Sequence, residues 1–121
     1  MRVGTDITQV SRIRELMQRH PEFGPAVFTP GEIAYCRGRR RAHEHYAARF
    51  AAKESVMKAV GRGWLQGLEW TDIEIGRAAS GEPCIQAHGS LVERMRQLGI
   101  ERFAVSLSHC ETHATAVVIA W

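Results

Sequence analysis

The spacing of apolar positions changes twice along this chain, and the changes mark out its elements. Met1 to Ile7 reads as a short strand, with Gly4 allowing close backbone approach and Asp6 near its end. A helix follows over about Val10 to Arg19, where Val10, Ile13 and Met17 share one side, and Pro21 stops it. Thr29-Pro30-Gly31-Glu32 is a helix start, with a capping threonine, a proline at the first helical position and a glutamate that completes a capping box. That short helix carries Ile33 and Tyr35 and fails at Gly38. A long helix then runs from about Ala42 to Val60, rich in Ala, Arg, Lys, Glu and Met, with Gly61 where a left-handed C-terminal cap belongs. Beyond it the period falls to two. Trp70 to Ile75 alternates, as do the residues around Cys84 to Ala87, with Gly81-Glu82-Pro83 leading into the second run. Ser90-Leu91-Val92-Glu93 reads as a second capping box, opening a helix that ends near Gly99. Arg102 to Ser108 and Ala114 to Trp121 form a final hairpin. Helices and strands mix without regular βαβ alternation, so the expected class is α+β with a largely antiparallel sheet.

Length and composition narrow the picture. At 121 residues, 45% of them hydrophobic, the chain fits one domain, residues 1–121, with an ordinary core. A domain of this size buries a limited share of its surface, which favours oligomerisation. No apolar run approaches the roughly 18 residues a membrane span needs, and no charged segment followed by an apolar stretch opens the chain. The expectation is a soluble, cytoplasmic protein. Cys36, Cys84 and Cys110 form no CxxC pair, and read as three small buried hydrophobes in a reducing compartment. The formal charge of +3 favours anionic partners without choosing among nucleic acid, phosphorylated cofactors and acidic proteins. Much of it lies in Arg37-Gly38-Arg39-Arg40-Arg41, which also fits a solvated loop.

The long helix carries the strongest chemical pattern. At roughly 100° per residue, Tyr46, Phe50 and Met57 form a narrow apolar stripe. Arg49 and Lys53 flank it on one side, Glu54 and Lys58 on the other, which predicts four charged side chains half in and half out of water. An ordinary surface reading exists: Glu54 and Lys58 are a favourable i,i+4 pair, worth about 0.2–0.5 kcal/mol, and long cationic side chains snorkel at core edges. Asp6, inside an apolar strand, needs a partner. It fits either a metal site, where two carboxylates with water and phosphate oxygens suit Mg²⁺, or a cap on the following turn.

The segment from Arg49-Phe50-Ala51-Ala52-Lys53-Glu54 to Lys58 and Gly61 resembles the signature of the 4′-phosphopantetheinyl transferases of the holo-acyl-carrier-protein synthase type. Gly4-Thr5-Asp6-Ile7, Phe28 to Ile33, Asp72 to Ile75, Gly81-Glu82-Pro83 and Ser106-Leu107-Ser108-His109 fall in that family's order, so the resemblance covers nearly the whole chain. It implies transfer of the phosphopantetheine arm of coenzyme A onto a serine of an apo-acyl carrier protein, with release of adenosine 3′,5′-bisphosphate. Position by position, it implies that Asp6 and Glu54 hold Mg²⁺, and that Lys53 and Lys58 lie near the phosphates, Lys58 assisting the leaving group. It assigns Arg49, Ser108 and His109 to the nucleotide pocket, and Gly81 and Pro83 to the turn beside the adenine. Arg12, with Arg14 beside it, would dock the acidic helix of the carrier. A homotrimer with sites between subunits is also implied. His113 and Thr115 depart from the family pattern, as does Ser55 where alanine is common.

Two other readings compete. A nucleic-acid-binding module would use the Arg37–Arg41 run, but the chain has no helix-turn-helix, zinc-finger or RNP-type motif and only 7% aromatic residues. A metal protein would use His109, Cys110 and His113, though no second ligand cluster accompanies them. His20, His43, His45 and His88 carry no distinguishable signal.

Overall fold

The computed structural model describes residues 1–121, and its elements follow the expected order. Strand β1 (Arg2–Gln9) leads into helices α1 (Val10–Arg19), α2 (Phe23–Val27), α3 (Pro30–Arg37) and α4 (Ala42–Val60). Then come β2 (Ile73–Arg77), β3 (Pro83–Ala87), α5 (Gly89–Leu98), β4 (Phe103–His109) and β5 (His113–Ala120). All pairings are antiparallel. One sheet has the order β1-β5-β4, and β2 and β3 form a separate two-stranded ribbon. The class is therefore α+β, as the pattern predicts. No helix is long and apolar enough to cross a membrane.

The capping box at Thr29 is present in full: Glu32 N–H donates to the Thr29 hydroxyl, and Thr29 N–H donates to the Glu32 carboxylate. The box at Ser90 is not. The carboxylate of Asp72 instead accepts from both the backbone N–H and the hydroxyl of Ser90, at 2.8 and 2.7 Å, and Glu93 pairs with Arg96. A carboxylate from a distant segment thus does the work expected of Glu93. The same residue explains why β2 begins late. Trp70–Asp72 forms a single 3₁₀ turn that delivers Asp72 to α5, and alternation starts only at Ile73. Of the three cysteines only Cys36 is buried, with burial pushing its thiol up to about 11; Cys84 is half-buried and Cys110 exposed.

Helix α4 is not the half-exposed helix that its charged margins predict. Most of its 19 residues are buried, because it runs between two apolar clusters. Ala51, Ala52, Val56 and Val60 pack with Ile73, Ile75, Leu91 and the inward residues Ala116 and Val118 of β5. Tyr46, Ala47 and Phe50 pack with Val10, Ile13, Val27 and Phe28. Small residues face the sheet, so strand and helix approach closely. At Gly4 the approach is extreme: a Cβ there would stand 1.8 Å from the carbonyl oxygen of Ser55. Strand alternation puts Gly4, Asp6 and Thr8 on the helix side of β1, and Val3, Thr5 and Ile7 on the outer side. Gly4 therefore sets the depth at which Asp6 meets α4. Replacing it, Gly4→Ala, forces backbone apart at this crossing, and a loss of about 2 kcal/mol or more is expected, read as a lower urea midpoint at fixed protein concentration.

Candidate active site

Asp6 reaches its position through that close crossing. Its Oδ2 accepts from the Thr8 hydroxyl at 2.7 Å, and its Oδ1 lies 3.1 Å from Lys58 Nζ. Lys58 also donates to the Thr5 carbonyl oxygen at 2.9 Å, so the last turn of α4 is clamped to β1. Glu54, one turn earlier, is half-buried and accepts no hydrogen bond from the protein. Burial, reinforced by the Asp6 carboxylate, raises the Glu54 carboxyl above its ordinary value, while Lys58 and Arg12 pull it the other way. Two carboxylates that repel one another, beside a groove open to solvent, form a donor set that a hard divalent cation would relieve. No group of three or more His, Cys, Asp or Glu is placed to hold a metal ion by itself. The fit is thus to an ion that keeps water and substrate oxygens, as Mg²⁺ does, and not to a closed protein cage.

Lys53 lies elsewhere than the resemblance implies. Its side chain is 0% exposed, and its ammonium is paired with Glu32 at 2.8 Å. It also donates to the carbonyl oxygens of Trp70, at 3.0 Å, and Ile73. Its three protons are spent on the protein and none is left for a phosphate. Burial lowers its proton affinity, and Glu32 restores part of it. Glu32 is equally occupied: besides capping α3 it accepts from Ile75 N–H at 2.8 Å. The angular reading of the helix placed Lys53 at a margin because a helical wheel does not show that α3 and β2 close over it.

On the other side of α4 lies a cleft of about 370 Å³. Arg49, Pro83 and His109 line it, together with Tyr35, His45, Arg77 and Ser106. The guanidinium groups of Arg39, Arg49 and Arg77 stand over the ring of Tyr35 at 3.9, 4.1 and 4.9 Å. Arg49 is 3% exposed and its Nε has no partner within the protein. A buried donor left unmade is costly, and an anionic ligand in the cleft would supply its acceptor. Gly81 and Ser108 do not line the cleft. Gly81 closes the turn before Pro83, at φ 97°, and the exposed Ser108 points to the opposite face of β4 from Leu107.

Arg12 borders a groove of about 740 Å³ that also contains Glu54, Phe23, Phe50, Trp64 and Trp70. Arg14, two residues on, faces Arg40, Arg41 and His43 instead, because i and i+2 positions of a helix point apart. The arginine run does not form one basic face. Arg39 turns back to the Tyr35 carbonyl and ring, and Arg41 lies 3.8 Å from Glu44. The nucleic-acid reading therefore gains nothing from the structure. Nor do His109, Cys110 and His113 converge: His109 bonds Glu44, while Cys110 and His113 both meet Thr112. Sequence reasoning missed Glu32, Glu44, His45 and Arg77. The signal for His45 was present, since it precedes Arg49 by four residues on the same helix face.

The sequence and fold match those of other proteins. Residues 2–118 match the family model described as the 4′-phosphopantetheinyl transferase superfamily. This chain belongs to that superfamily. The holo-acyl-carrier-protein synthase of Moorella thermoacetica is 45% identical over 119 residues, covering 98% of this chain and 92% of the relative. That of Koribacter versatilis is 44% identical over 117 residues, 96% and 94% of the two chains. Among solved structures, holo-acyl-carrier-protein synthase from Neisseria meningitidis superposes with a TM-score of 0.89 at 32% identity, covering 99% of this chain and 97% of the other. The Helicobacter pylori enzyme in complex with coenzyme A gives 0.85 at 29% identity, covering 98% and 99%.

The raised Glu54 carboxyl has a consequence for stability. A group whose folded-state value lies above its unfolded one stabilises the fold at low pH, and that contribution is lost as pH rises through the folded value. At neutral pH the ionised Glu54 is therefore a burden on the ligand-free protein. Glu54→Gln is expected to melt higher than the parent at pH 8, with the difference shrinking as pH falls toward 4. Thermal unfolding across that range, in metal-free buffer, checks the sign.

Proposed function

We propose that this protein is a holo-acyl-carrier-protein synthase, which transfers the 4′-phosphopantetheine arm of coenzyme A to a serine of an apo-acyl carrier protein. The observation that carries the reading is the pairing of Asp6 and Glu54 beside Lys58 at one end of α4, with a cationic cleft around Arg49 and His109 at the other. The cleft takes the adenosine 3′,5′-bisphosphate part of coenzyme A: Arg49 supplies its unpartnered Nε, Pro83 walls the base, and His109 faces the anionic end. Asp6 and Glu54 would hold Mg²⁺, which when bound screens the pyrophosphate oxygens. Glu54 receives the proton of the carrier serine as its oxygen attacks the phosphorus on the pantetheine side. A serine O–P bond forms, and the P–O bond to adenosine 3′,5′-bisphosphate breaks. Lys58 neutralises the charge that gathers on the departing oxygen.

Geometry favours a site shared between copies of the chain. Arg49 and Lys58 are nine residues apart, as are His45 and Glu54. At roughly 100° per residue that spacing is two and a half turns, so the two pairs look in opposite directions from one helix. A ligand that must touch both needs the cleft of one copy and the carboxylates of a neighbour. The outer face of the three-stranded sheet offers the surface for such a contact: Val3 and Ile7 are 64% and 66% exposed, and Val117 and Trp121 are also open. A homotrimer satisfies both requirements with three equal sites, and it acts in the cytoplasm. Arg12, beside Glu54, docks the acidic carrier; Arg14, turned away, contributes through the general field alone.

Three outcomes test this reading. Intact mass spectrometry of an apo-acyl carrier protein incubated with the enzyme and coenzyme A is expected to show the phosphopantetheine mass gain with Mg²⁺ and none with EDTA. Asp6→Ala, correctly folded, is expected to abolish the gain, and full Mg²⁺-dependent activity in that variant sinks the assignment. Arg12→Ala is expected to raise KM for the carrier about three- to tenfold, a rim charge being worth about 1 kcal/mol, with little change in KM for coenzyme A. Equal effects on both substrates count against docking at Arg12.

A further inference from the structure

Glu44 stands in the first turn of α4, and its carboxylate is buried. A carboxylate withdrawn from water is costly unless a donor meets it. Two groups do so. His109 Nδ1 lies 2.9 Å from Oε1, and Arg41 Nε, on a mostly exposed side chain, lies 3.8 Å from Oε2. The imidazole is the closer partner, and it comes from the far end of the chain, at the last residue of β4. A carboxylate can only accept, so the hydrogen of this bond belongs to Nδ1 of His109. That leaves Nε2 as the ring nitrogen available to the cleft which His109 lines. The ring of His45 packs edge-on against His109 at 5.0 Å and limits its rotation from the other side. Arg49, four residues after His45, continues the same wall.

We infer that Glu44 is a positioning residue for ligand binding: it accepts the Nδ1–H of His109, which fixes the ring plane and, in the neutral ring, the tautomer, and so aims Nε2 at the cleft, where the protonated ring donates Nε2–H to an anionic oxygen of the ligand. Glu44 does not line the cleft and acts through the imidazole. The inference rests on the proposed reading of the cleft as the site for the nucleotide end of coenzyme A. It accounts for a buried acid that the transfer chemistry does not use. It also accounts for a direct bond between α4 and the end of β4, two elements that both contribute to the cleft wall.

Binding of adenosine 3′,5′-bisphosphate by calorimetry, paired with long-range ¹H–¹⁵N spectra of His109 at pH 9, tests it. His109→Ala and Glu44→Leu, which fills the same space without an acceptor, are each expected to weaken binding about tenfold, the scale of one charge-assisted hydrogen bond. The double variant is expected to bind no worse than His109→Ala alone. Glu44→Gln keeps an acceptor oxygen and is expected to recover most of the affinity. The spectra are expected to show His109 protonated at Nδ1 in the parent and in Glu44→Gln, and at Nε2 in Glu44→Leu. Additive losses in the double variant, or a His109 that keeps its Nδ1 proton in Glu44→Leu, overturn the positioning role. Should Glu44→Leu fail to fold, an Nε2-protonated His109 in the parent overturns it equally. Unchanged binding in His109→Ala would instead remove the nucleotide reading of the cleft, while the tautomer still reports on Glu44.

Discussion

The arrangement depends on one buried cation. Lys53 stands in the middle of α4 with no access to water, and its ammonium binds the Glu32 carboxylate and the carbonyl oxygens of Trp70 and Ile73. Glu32 in turn caps α3 and holds the backbone of β2 at Ile75. One charge pair therefore ties three elements that are far apart in sequence, and it leaves no polar group in the cluster unmatched. Removing either partner alone would strand the other in the core, which typically costs about 3–5 kcal/mol. The pair gains little net energy over an apolar replacement, but it fixes the register of α3 and β2 against α4. That register decides where the 3₁₀ turn at Trp70 lies, and so shapes the groove beside Glu54.

A second constraint acts at the other end of the helix. The contact of Gly4 with Ser55 brings β1 against α4 backbone to backbone, and alternation then delivers Asp6 to Lys58 and toward Glu54. Asp6 is held by the Thr8 hydroxyl and the Lys58 ammonium, whereas the Glu54 carboxylate has no donor of its own. Glu54 is kept in a position that disfavours its charge. Functional groups in an uncomfortable electrostatic state, supported by a rigid framework, are the usual form of a site that awaits a charged ligand. The cationic cleft is the mirror case: Arg49 is buried with an idle donor beside two further guanidinium groups.

Most of the fold was legible in the residues. Capping at Thr29, the length of α4, its glycine terminus and the final hairpin all follow from local chemistry. The Ser90 box failed because Asp72, eighteen residues earlier, competes for the same N–H group, and no local rule sees that distance. The site was legible where spacing along one helix defines it, as for Arg49, Glu54 and Lys58. It was not where burial is decided by other elements. Lys53 and Arg49 occupy the same helical margin, yet one is wholly consumed by the protein and the other keeps a free donor. Glu32 and Glu44 were invisible as members of the site because their partners lie 21 and 65 residues away.

The enclosure of α4 also bears on how such a chain can diverge. Apart from its first two residues, the positions of this helix that reach solvent are His45 on the wall of the cleft, Glu54 of the carboxylate pair and Lys58 beside it. Elsewhere along the helix a substitution meets packed neighbours. The helix therefore has almost no neutral surface on which sequence can drift without touching either the core or the chemistry. New preferences among carrier partners must be written instead on α1, on the arginine-rich connection before α4, and on the exposed Trp64–Leu65 loop.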